Sequence, residues 1–180
     1  MLLSYDEALD IYGSDYQLKK AISKHQIYKI EKGIYSDRKD PDVLALMSKK
    51  YPLAVIDHEY AFYLYNLIRT KPDKITLITP SASSRIKDDR IRQSFIQEDL
   101  LYLGVEILEI EQEPIYTYNL ERLLVELVRN RNKYPKTVYR EAVGNFRKII
   151  KDLSDDLINE YLEPFKNKEA YRRIIDNEIR

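Results

Sequence analysis

The sequence predicts an α+β chain: a small helical and hairpin unit first, then a mixed or antiparallel sheet, then a helical carboxy-terminal region. Three observations carry this reading. Two capping-box patterns, Ser4-Tyr5-Asp6-Glu7 and Ser14-Asp15-Tyr16-Gln17, start two short helices ten residues apart. Between residues 53 and 118, short apolar runs of strand length follow one another in hairpin-like succession rather than in βαβ alternation. From Asn119 onward, apolar residues recur at three and four positions, the helical period.

The elements follow in order. Tyr5, Ala8, Leu9 and Tyr12 form one helical face, and Gly13 is placed to end that helix in the left-handed region. In the second helix Leu18, Ala21, Ile22 and His25 make the expected inner stripe, with His25 as a helix-end residue. At 100° per residue the opposite face carries Tyr16, Lys20, Ser23 and Lys24, flanked by Gln17 and Lys19. Ile27–Ile30 and Ile34–Ser36 bracket Glu31-Lys32-Gly33, a hairpin with Gly where φ > 0 is needed. Two helices, a tight Gly turn and a basic hairpin match a winged helix-turn-helix over residues 1–52, with the segment Pro41–Tyr51 as a supporting helix. Few residues precede Ser4, so its first helix is expected to be absent or a stub.

Residues 53–180 form the expected second part, an α+β body ending in a helical segment. Leu53–Ile56, Lys74–Thr79, Ser94–Gln97, Val105–Ile110 and Ile115–Tyr118 read as strands. Asp57 is placed to cap a helix bearing Tyr60, Ala61, Leu64, Leu67 and Ile68, with His58 as a capping-turn or packing residue. Glu109, Glu111 and Glu113, at period two, are expected on one solvated strand face. Four helices close the chain: one capped by Asn119, one starting at Pro135, one capped by Ser154 and stopped by Pro164, and one capped by Asn167 with Ala170, Tyr171, Ile174 and Ile175 inward.

Composition narrows the function classes. The 180 residues are 44% hydrophobic and 33% charged with only four Gly, which excludes collagen-like and disordered chains. No apolar run approaches the roughly 18 residues needed to span a bilayer, and Met1-Leu2-Leu3-Ser4-Tyr5-Asp6 lacks the form of a signal peptide, so a cytoplasmic location with no membrane partner is expected. With no Cys and two His 33 positions apart, no metal site and no cofactor is expected. Nucleotide-binding glycine motifs and nucleophile contexts do not occur, and the acid and Lys spacing of metal nucleases is met only by Asp37-Arg38-Lys39 in an expected loop, so no catalytic residue is assigned and the chain is not read as an enzyme. Sixteen Tyr fit either an AT-rich coding sequence or a surface of amphipathic aromatics for a partner.

Thirty basic and thirty acidic residues cancel in total but not locally. Residues 16–39 carry seven bases against two acids, residues 98–121 seven acids and no base, and residues 122–151 nine bases against two acids. Such blocks either come together as a basic face and an acidic face on folding or are scattered by it. In the first unit Lys20, Lys24, Lys29 and Lys32, with Lys19, are the expected phosphate contacts. Tyr16, Gln17 and Ser23 are placed for base edges. A different class of function remains: a protein that binds no DNA and uses its Tyr-rich body to hold a protein or RNA partner.

Four blocks in order resemble the AbiEi-like antitoxins of abortive-infection (type IV) toxin–antitoxin operons. They are Glu31-Lys32-Gly33-Ile34-Tyr35 at the wing, Val55-Ile56-Asp57-His58-Glu59-Tyr60-Ala61, Ile78-Thr79-Pro80 followed by the basic Arg85–Arg92, and the run from Tyr118 to Arg129. The last is similar to the family's Tyr–x–x–Glu-Arg–Thr–x–x–Asp–x–x–Arg helix, with Leu123 and Glu126 standing for its Thr and Asp. The resemblance implies a winged helix-turn-helix that represses its own operon by binding promoter repeats in double-stranded DNA. It also implies a body that counters a nucleotidyltransferase-type toxin without a stable complex. In that body Glu121, Arg122, Glu126 and Arg129 are the candidate residues. Glu121 and Arg122 are expected as a functional pair on the exposed side of their helix, with an Arg122–Glu126 intrahelical ion pair as the alternative.

Overall fold

The computed structural model describes residues 1–180. It is an α+β chain with two sheets and a helical carboxy-terminal region. It divides into two compact units: residues 1–53 with 107–115, and residues 54–106 with 116–180.

In the first unit Leu2–Ser4 forms β1, Tyr5–Tyr12 α1, Asp15–Ser23 α2, Tyr28–Glu31 β2, Ile34–Ser36 β3 and Val43–Lys50 α3. Both helix starts are capped by their serines, the first as a full capping box and the second without the return bond from Gln17. Ser4 Oγ accepts the Glu7 amide while Glu7 accepts the Ser4 amide, and Ser14 Oγ accepts the Gln17 amide. Gly13 closes α1 at φ 79°, returning its N–H to the Leu9 carbonyl. The residues before Ser4, expected as a helical stub or nothing, are a strand: β1 pairs antiparallel with β3, giving the order β1-β3-β2. Leu2 and Leu3 are buried, a use for apolar residues too few to make a helical turn. The core is Leu3, Ala8, Leu18, Ala21, Ile27 and Tyr35. His25 departs from its expected place. The helix ends at Ser23, and His25 is an exposed turn residue at φ 56° beside the Tyr28 ring.

The same unit takes in residues 107–115, the end of a hairpin formed by β7 (Val105–Ile110) and β8 (Glu113–Tyr118). Glu111 and Gln112 both have positive φ, the two-residue turn that follows strand twist. The three glutamates expected along one solvated strand face separate here. Glu109 is exposed, whereas Glu111 pairs with Arg38 and accepts the Asp42 amide at 2.9 Å, and Glu113 accepts the Leu2 amide at 2.7 Å. The period-two pattern fails because Glu111 is a turn residue, where alternation no longer holds.

The second unit begins with Val55–Ile56 as β4, His58–Leu64 as α4, Ile75–Pro80 as β5, Ile91–Ile96 as β6 and Glu98–Leu101 as α5. The sheet order is β6-β5-β4-β8-β7 and the sheet is mixed: β4 runs antiparallel to β5 and parallel to β8, and β5 runs parallel to β6. β5, one of the three interior strands, is buried along its whole length.

Four helices complete the unit: α6 (Leu120–Arg129), α7 (Lys136–Ile149), α8 (Asp155–Leu162) and α9 (Lys168–Ile174), which continues into a π-helical turn to Ile179. Asn119 and Ser154 cap α6 and α8 through their side chains, but Asn167 makes no such bond and Ala170 is exposed rather than inward. α6 touches α4, α7, α8 and α9. Leu123, Leu124, Val125, Leu127 and Val128 are at most 1% exposed, each burial worth roughly 1.5–3 kcal/mol before entropy is counted. Packing, not helix propensity, therefore holds this ten-residue helix.

Gly104 lets the chain turn into β7 beside that helix. It has φ +76°, and a Cβ there would lie 2.7 Å from Arg122 Cβ and 3.1 Å from the Tyr161 ring. Gly104→Ala is expected to cost about 1–3 kcal/mol through strain and overlap. Urea unfolding measures it; a loss below about 0.5 kcal/mol would show that this approach is slack.

Candidate functional site

The outer surface of α2 is built by subtraction. Leu18 and Ala21 enter the core, which leaves Tyr16, Gln17, Lys19, Lys20 and Ser23 exposed; Tyr16 is 72% exposed. Lys24 follows as the C-cap residue, Lys29 lies on β2 and Lys32 in the hairpin turn, all exposed. All eight residues singled out in the sequence thus sit on the first unit with free access to solvent. They are not electrostatically equal. Lys19 Nζ lies 2.7 Å from Asp15 Oδ2, a bond that raises the Lys19 pKa and, with the Lys19 charge, holds the Asp15 carboxyl below its ordinary range. The charge of Lys29 adds to that lowering of the Asp15 carboxyl. Ser23 Oγ donates to the Lys20 carbonyl at 2.8 Å, so its proton is occupied. Lys20, Lys24, Lys29 and Lys32 have no carboxylate partner.

The second unit holds a different kind of site, a charge cluster inside the core. Arg122 is fully buried, which corrects its expected place on an exposed helix side. With neighbours on so many sides, α6 has little exposed side to offer. The Arg122 guanidinium lies 4.9 Å from the Tyr118 ring and 5.4 Å from the Phe165 ring, and Nη2 is 2.8 Å from Glu126 Oε1. That approach is an ion contact without hydrogen-bond geometry, and none of the three guanidinium nitrogens makes a hydrogen bond. Glu126, 2% exposed, also takes Arg129 Nη1 at 2.5 Å and Asn130 Nδ2 at 2.9 Å. Arg129 stacks on Phe165 at 3.6 Å. Glu121 stands apart: it accepts the Ser154 amide at 3.1 Å, joining α6 to the start of α8. The i, i+4 pairing of Arg122 with Glu126 is therefore present, in the core rather than on a surface where it would be worth a few tenths of a kcal/mol.

Asp57 and His58 belong to this cluster, which the sequence did not suggest. Asp57 occupies the cap position of α4 but its side chain caps nothing. It is fully buried, with Oδ2 2.6 Å from His58 Nδ1 and Oδ1 unpaired. Burial alone would lower the His58 pKa; the charge and hydrogen bond of Asp57, aided by Glu126 and Glu59, outweigh it and raise the value. The His58 ring packs 5.7 Å from the Tyr134 ring, whose buried hydroxyl has no partner and is pushed well above its ordinary pKa by burial, Asp57 and Glu126. The signal was an acid and a His directly after a buried strand, where a cap is common and a core ion pair is rare. No group of three His, Asp or Glu side chains is placed to hold a metal ion.

Two outcomes follow from the cluster. Glu126→Ala leaves a buried guanidinium unmatched and is expected to cost about 3–5 kcal/mol in urea unfolding, with part regained when Arg122→Met is added. A single-variant loss under about 1 kcal/mol would contradict the burial. Because folding raises the His58 pKa, the protonated imidazole adds stability that is complete below about pH 6.5, the unfolded value, and vanishes as pH rises through the folded value. Thermal melts from pH 5.5 to 8.5 should show this decline in the native chain and a flatter profile in His58→Asn. Parallel profiles would remove His58 as its source.

No family model matches the chain, and no curated protein matches it. Among solved structures it is similar to the crystal structure of RV2827C protein from Mycobacterium tuberculosis, with a TM-score of 0.64 and 13% sequence identity over 98% of this chain and 71% of that one. At that identity the likeness is one of fold.

Proposed function

We propose that this chain is a DNA-binding autorepressor and antitoxin of a type IV toxin–antitoxin operon, with α1 and α2 as the helix-turn-helix and β2–β3 as the wing. The observation that carries the DNA-binding half is the set of unpaired, exposed cations on α2 and the hairpin: Lys20, Lys24, Lys29 and Lys32. An exposed Lys that forms no ion pair breaks none by turning to phosphate, and the counterions it releases supply affinity. Tyr16 and Gln17 at the start of α2 offer polar tips to base edges. Lys19 contributes less, because Asp15 competes for it. In this reading β1 takes over from the usual first helix, bracing the unit through its pairing with β3.

The antitoxin half rests on the resemblance of four sequence blocks. Arg122 and Glu126, within the fourth, support the fold of the body. Surface residues of the second unit would then meet whatever the body acts on.

Binding of the full chain to its own promoter repeats tests the first half. Four phosphate contacts give a slope of log K against log salt of about −3.6 from this face, and Lys20→Ala and Lys24→Ala should each reduce the slope by about one. Slopes unchanged in both variants would refute the assignment. Rescue of growth when the chain is co-expressed with the product of an adjacent nucleotidyltransferase-like reading frame tests the second.

A further inference from the structure

The second unit carries a basic face of its own, on α7. At 100° per residue Lys136, Arg140 and Arg147 fall within an arc of about 40°, and Lys148 lies on the same open side. The inner side is occupied by Ala142, Val143 and Phe146. Lys133 precedes the helix and Lys151 follows it in a 3-10 turn. Lys133, Lys136, Arg140, Arg147, Lys148 and Lys151 are all exposed. None has a carboxylate partner: Arg147 donates to the Glu178 main-chain carbonyl and Lys148 to the Asn145 side chain. Of the acids beside this face two are engaged, while Asp152, next to Lys151, is exposed. Glu141 accepts the Arg69 amide, and the Glu178 carboxylate takes the Tyr139 hydroxyl at 2.9 Å and faces Arg131 at 3.8 Å.

In the middle of the open side, one turn from Arg140 and one from Arg147 and Lys148, stands Gly144. A Cβ there would meet nothing within 4 Å, so the fold has no packing reason for a helix-weakening residue at that point. A glycine flanked by unpaired cations leaves a shallow bare stretch of helix, which permits close approach of a phosphodiester backbone.

We propose that α7 is a second nucleic-acid surface, which binds the phosphate backbone of duplex DNA without reading sequence. The partner is a duplex because the face offers cations and no exposed aromatic ring on which unstacked bases could stack: Tyr134 is buried, and Tyr139 is half-buried and bonded to Glu178. This surface is independent of the lysines on α2 and the hairpin, and it stands or falls without them.

The test uses the full chain and a random-sequence DNA duplex, followed by fluorescence anisotropy across a salt series. A background variant with Lys20, Lys24, Lys29 and Lys32 all changed to Ala removes the first-unit face. In that background the duplex should still bind, with a slope of log K against log salt of about −3 or steeper. Adding Arg140→Ala and Arg147→Ala should reduce the slope by about two. Gly144→Leu, whose Cβ would meet open space, should weaken binding several-fold with an unchanged circular dichroism spectrum. Loss of all duplex binding in the background variant, a slope indifferent to Arg140 and Arg147, or tighter binding to a single strand of equal length overturns the proposal. An intact α7 response beside an inert Lys20 and Lys24 would instead overturn only the first-unit reading.

Discussion

A guanidinium sealed from water must be matched within the core, and Arg122 imposes that condition on the second unit. Its charge is balanced by Glu126 one turn along the same helix, and its faces are covered by Tyr118 and Phe165. Glu126 in turn holds Arg129 and Asn130. Gly104 has no side chain because Arg122 Cβ and the Tyr161 ring already fill that space. A strand end, the helix after it and the turn after α8 are thus tied to one side chain. Replacing a buried pair with apolar residues often raises stability, so the pair fits a role in fixing which helix faces meet rather than in adding free energy.

Charge is segregated by use. The acids of residues 98–121, a conspicuous block in the sequence, are partly committed to holding the chain together: Glu111 and Glu113 bind backbone amides, Glu106 takes the Tyr65 hydroxyl and Glu121 the Ser154 amide at the start of α8. The bases of α2, the hairpin and α7 have few such commitments. A chain with no net charge therefore presents unpaired cations on two separate helices.

Local signals were legible in the sequence because they are settled within a few residues. The capping box at Ser4, the N-cap at Ser14, the glycine turns at Gly13 and Gly33, and the starts of α6 and α8 need only the backbone beside them. Exposure of the α2 lysines followed from periodicity alone. The unread features are non-local. Pairing of β1 with β3 depends on a partner some thirty residues away, and the parallel course of β5 and β6 depends on a loop without a helix in it. The spacing of Arg122 and Glu126 is identical on a wet helix and a buried one; only the four helices around α6 decide between them. Asp57 looked like a cap because a cap and a core carboxylate share one position, and the difference lies in what packs above it.

Residues 107–115 also bear on how the chain comes together in time. They complete the first unit from a point more than fifty residues downstream of its main segment, after β4, α4, β5 and β6. During synthesis the amino-terminal helices emerge early, but the amides of Leu2 and Asp42 wait for Glu113 and Glu111 to reach them. Closing so long a loop is slower than forming a hairpin in place. Assembly of the amino-terminal unit is thereby coupled to translation of most of the sheet, and a nascent chain stalled before residue 107 carries its two lead helices without the glutamates that anchor the strand beneath them.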